Sequence, residues 1–313
     1  MQVRTIAVLG VAAFAAACGR KPDTPAARSD TVPPAPRAPA NLAVIEGFKT
    51  PESVIYDVDQ GVWFVTNING NPSVKDNNGF ISRLKHDGTV DSLRFIAAGV
   101  GKVTLNAPKG TAITGDTLWV TDIDAVRGFN RKTGQPVATI EFGNKAKFLN
   151  DIVAAPDGSL YVTDTGVLFD AKGNMTHPGP DRIFKIGTRH AVTVAAEGDV
   201  LERPNGIAWD AAGQRFMLAP FGGTTIASWV PGKPPVPFAK GPGSQDGIEV
   251  LSDGRVLVTS WADSTLFIAA AGGNRVMVSK VASPADIGID RGRHIVAIPL
   301  FTLDRVEFWD LGT

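Results

Sequence analysis

Four oxygen-bearing side chains occupy similar local settings far apart in the chain. They are Glu52 after Pro51, Asn150 in Leu149-Asn150-Asp151, Asn205 in Arg203-Pro204-Asn205-Gly206, and Asp246 in Gln245-Asp246-Gly247. Each introduces an alternating apolar run. Two carboxylates and two amide carbonyls make a hard donor set, which suits Ca²⁺ first and Mg²⁺ or Mn²⁺ next, with waters completing the shell. The set holds no imidazole and no thiolate, and this disfavours zinc and copper. Taken singly, an Asn or Asp before Gly is a common turn residue. Glu52 is unsuited to that role, and four oxygen donors at one repeated phase point jointly to a single divalent cation. Lys109, in Pro108-Lys109-Gly110, stands at the same phase. Its ammonium opposes a cation, so it either leans toward a substrate anion or marks a ring put to another use.

The elements that must gather these residues are strands. One pattern recurs six times: a Pro or small residue, a polar residue, an alternating apolar strand, a turn with Asp or Gly, and a second strand ending in Thr or Asp. Pro108 to Ile113 with Leu118-Trp119-Val120-Thr121-Asp122 is one copy, and Pro156-Asp157-Gly158 leading into Leu160-Tyr161-Val162-Thr163-Asp164 closes another. Aligned on the residue before the Gly, the register runs Glu52, Lys109, Asn150, Asn205, Asp246 and Ala285, about 40 to 57 residues apart, which is the period of a four-stranded propeller blade. Further strand pairs between the copies turn on signals such as His86-Asp87-Gly88. An all-β, six-bladed β-propeller is therefore expected over residues 42–313. Leu42 to Ile45 and Arg305 to Trp309 both read as apolar strands, so the N-terminal strand is expected to complete the last blade and close the ring. In such a ring the innermost strands begin near the axis, and residues of one phase converge there.

Composition agrees with this architecture. The 313-residue chain has 34 Gly, 22 Pro and 43% hydrophobic residues, rich in turns yet able to bury a large core. Its 31 basic and 31 acidic residues balance, which argues against a nucleic-acid partner and for a small, weakly charged one. A monomer acting on a small molecule is expected. Arg4, the apolar run from Ile6 to Ala17, and Ala15-Ala16-Ala17-Cys18-Gly19 read as a signal peptide over residues 1–17. The run is too short for a permanent membrane helix, which needs about 20 residues. The single cysteine follows the small residues directly, and the segment resembles a bacterial lipobox whose lipidated Cys, here Cys18, becomes the mature N-terminus. Residues 18–41 are then a Pro/Ala-rich tether reaching up to roughly 70 Å in polyproline geometry. The expected location is the cell envelope, anchored by lipid to the outer membrane and facing the periplasm.

Residues 50 to 310 resemble the SMP-30/gluconolactonase/LRE family and, more distantly, the phosphotriesterase-like propellers. The motifs that carry the likeness are Pro51-Glu52, Leu149-Asn150-Asp151, Arg203-Pro204-Asn205-Gly206-Ile207-Ala208 and Gln245-Asp246-Gly247-Ile248. The resemblance implies one divalent metal, generally calcium, on Glu52, Asn150, Asn205 and Asp246. It also implies hydrolysis of a lactone or related ester, with Asp246 as base or nucleophile-positioning ligand. Sugar-lactone members commonly carry an Arg two residues before the third-blade Asn; here that residue is Phe148, so a sugar substrate is not implied. The other class of function open to the chain is a non-catalytic propeller that recognises a ligand or partner and uses the metal structurally.

The stretch Gly166 to Arg182 exceeds what a hairpin needs and is placed to bring His177 and Met175 over the channel. Trp63, Trp119, Trp209, Trp261 and Trp309 recur at strand positions and are expected in the inter-blade core. Gly99-Val100-Gly101-Lys102 lacks the Ser or Thr and the strand-to-helix setting of a phosphate loop, and no Gly-x-Ser-x-Gly elbow is present.

Overall fold

The computed structural model describes residues 1–2 and 37–312; Cys18, the signal segment and the tether up to residue 36 lie outside them. The chain divides into Met1–Ala35 and Pro36–Thr313, and the second unit is a six-bladed propeller of six four-stranded antiparallel sheets. The innermost strands of the first five blades are Pro51–Asp57, Pro108–Thr114, Leu149–Ala154, Pro204–Asp210 and Gln245–Val250. The sixth is inner-stranded by Gly288–Asp290, and its outermost strand is Ala40–Glu46, paired antiparallel with Arg305–Asp310 from Ala40 opposite Asp310 to Glu46 opposite Arg305. Closure by the N-terminal strand is thus as expected, with the strand starting at Ala40 rather than Leu42. Arg37 also reaches Asp310, 3.3 Å away, so the last tether residues already lie along the C-terminal strand.

Each blade buries its apolar face against the next, giving one packed layer per blade boundary. Trp63, Leu84, Val306 and Phe308 join the last blade to the first, and Tyr161, Phe216, Leu218 and Trp229 join the third to the fourth.

The Thr-Asp ending of the second strands has a structural reason. The carboxylate holds the segment entering its own blade: Asp164 accepts from the backbone N–H of Lys147 and Phe148, and Asp122 from those of Asn106 and Ala107. The threonine hydroxyl reaches the next blade instead. Thr121 donates to the carbonyl of Asn150 at 2.5 Å, Thr163 to that of Asn205 at 2.6 Å and Thr259 to that of Ala285 at 3.1 Å. These latches fix the ring positions to one another, because a buried backbone carbonyl must find a donor.

The sixth inner strand, whose register residue is Ala285, is shorter than the other five, running only over Gly288–Asp290. Asp286 N–H donates to the carbonyl of Glu52 at 2.9 Å, and Val54 N–H to that of Asp286 at 3.2 Å. Pro284 and Ala285 still pair with Leu300 and Pro299 of their own blade, so the detour at Asp286 interrupts the strand and leaves Gly288–Asp290 as its regular part.

Candidate metal and substrate site

Five ring residues share one local device. Pairing of the inner with the second strand slips between Pro51 and Val54, Pro108 and Thr111, Leu149 and Ile152, Pro204 and Gly206, and Gln245 and Ile248. Glu52, Lys109, Asn150, Asn205 and Asp246 each sit at such a bulge, and a bulge re-aims the side chain it carries. The glycine that follows in several copies is there for close approach: a Cβ on Gly206 would strike the carbonyl oxygen of Asp246, and one on Gly110 the backbone of Asp151. Neighbouring inner strands can therefore crowd toward the axis.

Glu52, Asn150, Asn205 and Asp246, all 4–5% exposed, line one cavity of about 410 Å³ together with Lys109 and Phe148. Glu52 Oε2, Asn205 Oδ1 and Asp246 Oδ1 are buried with no hydrogen-bond partner. Asn150 is oriented by its neighbour: Thr165 gives its proton to the carbonyl of Pro204 at 2.9 Å, so it can only accept from Asn150 Nδ2 at 3.1 Å. The amide oxygen of Asn150 is thereby turned away from Thr165. Among the described residues, no three His, Cys, Asp or Glu side chains gather at metal-binding distance; the candidate donor set draws half its oxygens from amides. Unpaired buried oxygens are costly, and hard oxygens from four blades could hold a hard divalent cation.

The electrostatics point the same way. Burial pushes the Glu52 carboxyl well above the usual carboxylate range; the charges of Asp246 and Asp286 add to this, and Lys109 opposes it. Burial drives Asp246 up to about 7 against the pull of Trp261 and Asn205. Burial likewise brings the Lys109 ammonium down to about 8, with Glu52 the chief charge resisting the fall. Lys109 does not lean out of the site. Its Nζ donates to the carbonyl of Ala107 at 3.1 Å and lies 4.1 Å from the centre of the Phe148 ring.

The insertion between the second and third strands of the third blade forms a small ribbon, Leu168–Phe169 paired with Met175–Thr176. Phe169 and Met175 line the cavity, whereas His177 does not. Its Nε2 lies 2.7 Å from Asp181 Oδ1, and Asp181 also accepts the backbone N–H of Arg203. The ribbon thus covers the site with apolar atoms, and His177 braces its base. Trp261, expected in the inter-blade core, instead lines the cavity beside Phe221 and Phe301. These three, with Ile68, follow directly on the second strands of their blades, a phase that sequence reasoning passed over.

The same architecture occurs in solved structures at 15–18% identity. A gluconolactonase from Xanthomonas campestris superposes with a TM-score of 0.64 at 15% identity, covering 87% of this chain and 91% of that one. A protein described as a putative gluconolactonase gives 0.62 at 18% identity, over 88% and 92%, and a chain of a nidogen/laminin complex 0.56 at 18%, over 72% and 77%. No curated protein matches the chain in sequence. A family model, the SMP-30/gluconolactonase/LRE-like region, matches residues 50–288 and so includes the ring residue of every blade. The chain belongs to the SMP-30/gluconolactonase/LRE-like family.

Proposed function

We propose that the protein is a metal-dependent hydrolase of a lactone or related small ester, working at the cell envelope as an exported lipoprotein anchored through Cys18. The observation that carries this reading is the group of three partnerless buried oxygens, on Glu52, Asn205 and Asp246, lining one cavity. Family membership supports it, since proteins of this kind typically bind a divalent metal. Glu52, Asn150, Asn205 and Asp246 would hold the cation, with Ca²⁺ the first expectation. Once bound, it would polarise the ester carbonyl and stabilise the negative charge that develops on its oxygen.

The chain's own residues supply the rest. Asp246, buried in the cavity wall, takes a proton from water as the water oxygen bonds to the acyl carbon. The acyl C–O bond then breaks, and the proton passes to the departing alkoxide. Lys109, held by Ala107 and Phe148, offsets part of the carboxylate charge without reaching over the reacting carbon. Phe148, Phe169 and Trp261 keep bulk water from the cation.

Metal analysis of the purified protein, followed by a lactone screen with added Ca²⁺, Mn²⁺ or Zn²⁺, tests this. About one equivalent of divalent metal is expected, with activity that falls at least about 10³-fold in Asp246→Ala. Activity that survives the substitution removes the proposed base. Retained metal with no turnover of any lactone or ester favours instead a ligand-recognising propeller with a structural cation.

A further inference from the structure

The cavity's lining also specifies the kind of ester it takes. Resting on the hydrolase reading above, we infer that the substrate carries an apolar arm, an alkyl chain or an aromatic ring, in place of the hydroxyls of a sugar lactone.

The inference comes from counting hydrogen-bonding capacity against apolar wall. Phe148, Phe169, Met175, Phe221, Trp261 and Phe301 surround the space in front of the four oxygens. Phe148 and Phe169 pack at 5.7 Å between ring centres, and Phe221, Trp261 and Phe301 run as a chain of tilted rings at 5.8 and 5.3 Å. The polar groups on this wall are few and partly engaged. Thr165 spends its hydroxyl between Pro204 and Asn150, and Lys109 is held by Ala107 and the Phe148 ring. With the four oxygens given to the cation, the donors left on the wall, among the described residues, are the Lys109 N–H groups not given to Ala107 and Trp261 Nε1, which faces Asp246.

Donors confined to the two side chains beside the carboxylates suit the oxygens of one ester group and no more distant hydroxyls. Glucono-δ-lactone brings four hydroxyls, and burying them without partners opposes binding. A hydrocarbon arm instead gains affinity with each methylene it buries. The ribbon fixes where the arm lies. Phe169 N–H donates to Ser73 Oγ at 3.0 Å, and Asn71 Nδ2 to the carbonyl of Asp170 at 2.8 Å. The third-blade insertion is thus tied to a first-blade loop, forming an apolar ceiling. A cavity of about 410 Å³ lies within the roughly 300–1,000 Å³ of small-molecule sites.

The test compares kcat/KM of the full-length protein, loaded with the metal that supports turnover, for δ-valerolactone, δ-nonalactone and glucono-δ-lactone. We expect about a fourfold rise per methylene buried, and glucono-δ-lactone at least about 100-fold below δ-nonalactone. Met175→Gln, on the partly exposed ribbon where the fold tolerates it, should flatten the chain-length slope; Phe148→Arg should do so more strongly. A flat slope, or a preference for glucono-δ-lactone, overturns the inference and leaves the hydrolase reading standing. If no lactone turns over, the hydrolase reading fails, and calorimetric titration with the same lactones decides the inference separately. Binding that tightens with chain length and weakens in Met175→Gln supports an apolar ligand; no binding of δ-nonalactone overturns it.

Discussion

Replacing Thr163 by Val tests whether the ring is held by the hydroxyl latches between blades. Thr163 Oγ accepts the backbone N–H of Asp151 at 2.9 Å and donates to the carbonyl of Asn205 at 2.6 Å, so one hydroxyl ties two ring segments. Thr163, Asp151 and Asn205 are all at most 5% exposed, so the groups left without the hydroxyl stay largely shielded from solvent. Each orphaned group costs about 1–3 kcal/mol, while the added methyl recovers about 1 kcal/mol by burial. The net loss is about 1–5 kcal/mol, which for a body of this size lowers Tm by about 2–20 °C. Thr163→Ser keeps the hydroxyl and should lose less than about 1.5 kcal/mol. Differential scanning calorimetry of the three proteins reads the difference, and calcium titration reads whether Asn205 has moved. A Thr163→Val melting point within 1 °C of the parent, or a Ser variant as unstable as Val, would refute the latch.

Gly206→Ala puts a Cβ against the carbonyl of Asp246; about 1–3 kcal/mol or more of overpacking strain and weaker metal retention are expected, read by thermal unfolding and metal analysis. Arg131 bridges the first two blades through buried Asp57 at 2.5 Å and exposed Asp59 at 2.7 Å. Arg131→Met should cost about 3 kcal/mol by stranding the Asp57 charge, and a chemical-denaturation midpoint that does not move would count against it. Asp157 is depressed to about 2, first by the Ser159 hydroxyl and then by the Ser159 N–H and Lys185. Its contribution to stability is therefore present above the ordinary carboxylate value and disappears as pH falls through about 2. Ser159→Ala should move its NMR titration midpoint upward, and an unmoved midpoint would remove the hydroxyl as the cause.

The fold was legible because the period of the repeat is set by the blade, and the Thr-Asp endings that marked the copies turn out to be the bonds that hold them. Glu52, Asn150, Asn205 and Asp246 could be aligned because the bulge that aims them occurs at one phase in five of the six copies. Trp261 was misplaced for an instructive reason. Its type matches Trp63 and Trp119, which do pack between blades, but it falls one position past the end of Val256–Ser260. At that step the chain leaves the sheet and turns toward the axis, as it also does at Ile68, Phe221 and Phe301. Side-chain type suggested core, whereas phase gave the cavity wall. His177 could not be placed by phase, since it lies in an insertion with no counterpart in other blades, and its partner Asp181 sets its direction. Ala40 and Asn41 read as tether because the strand they open is largely exposed and lacks a buried face of its own.

Lys109, the member of the ring that opposes a cation, makes sense once the charges of the chamber are summed. Its Nζ is buried with Glu52 and Asp246, and a fall to about 8 still leaves it mostly protonated at neutral pH. With both carboxylates ionised, as a bound cation would hold them, two carboxylates and one ammonium sum to −1 before the cation's own charge is counted. A divalent cation on the four oxygens would turn this to +1. A surplus positive charge in an apolar, water-poor space favours hydroxide and the oxyanion that forms when water adds to an ester, while one surplus negative charge favours admitting the cation first. A neutral residue at position 109 would leave −2 before the cation and zero after it: tighter metal, but no field for the transition state. Lys109→Met is therefore expected to bind divalent metal more tightly and to lose kcat, a divergence that separates electrostatic tuning from simple loss of packing. A variant weakened in both metal affinity and kcat, with a lowered Tm, would instead mark Lys109 as a packing residue against Phe148.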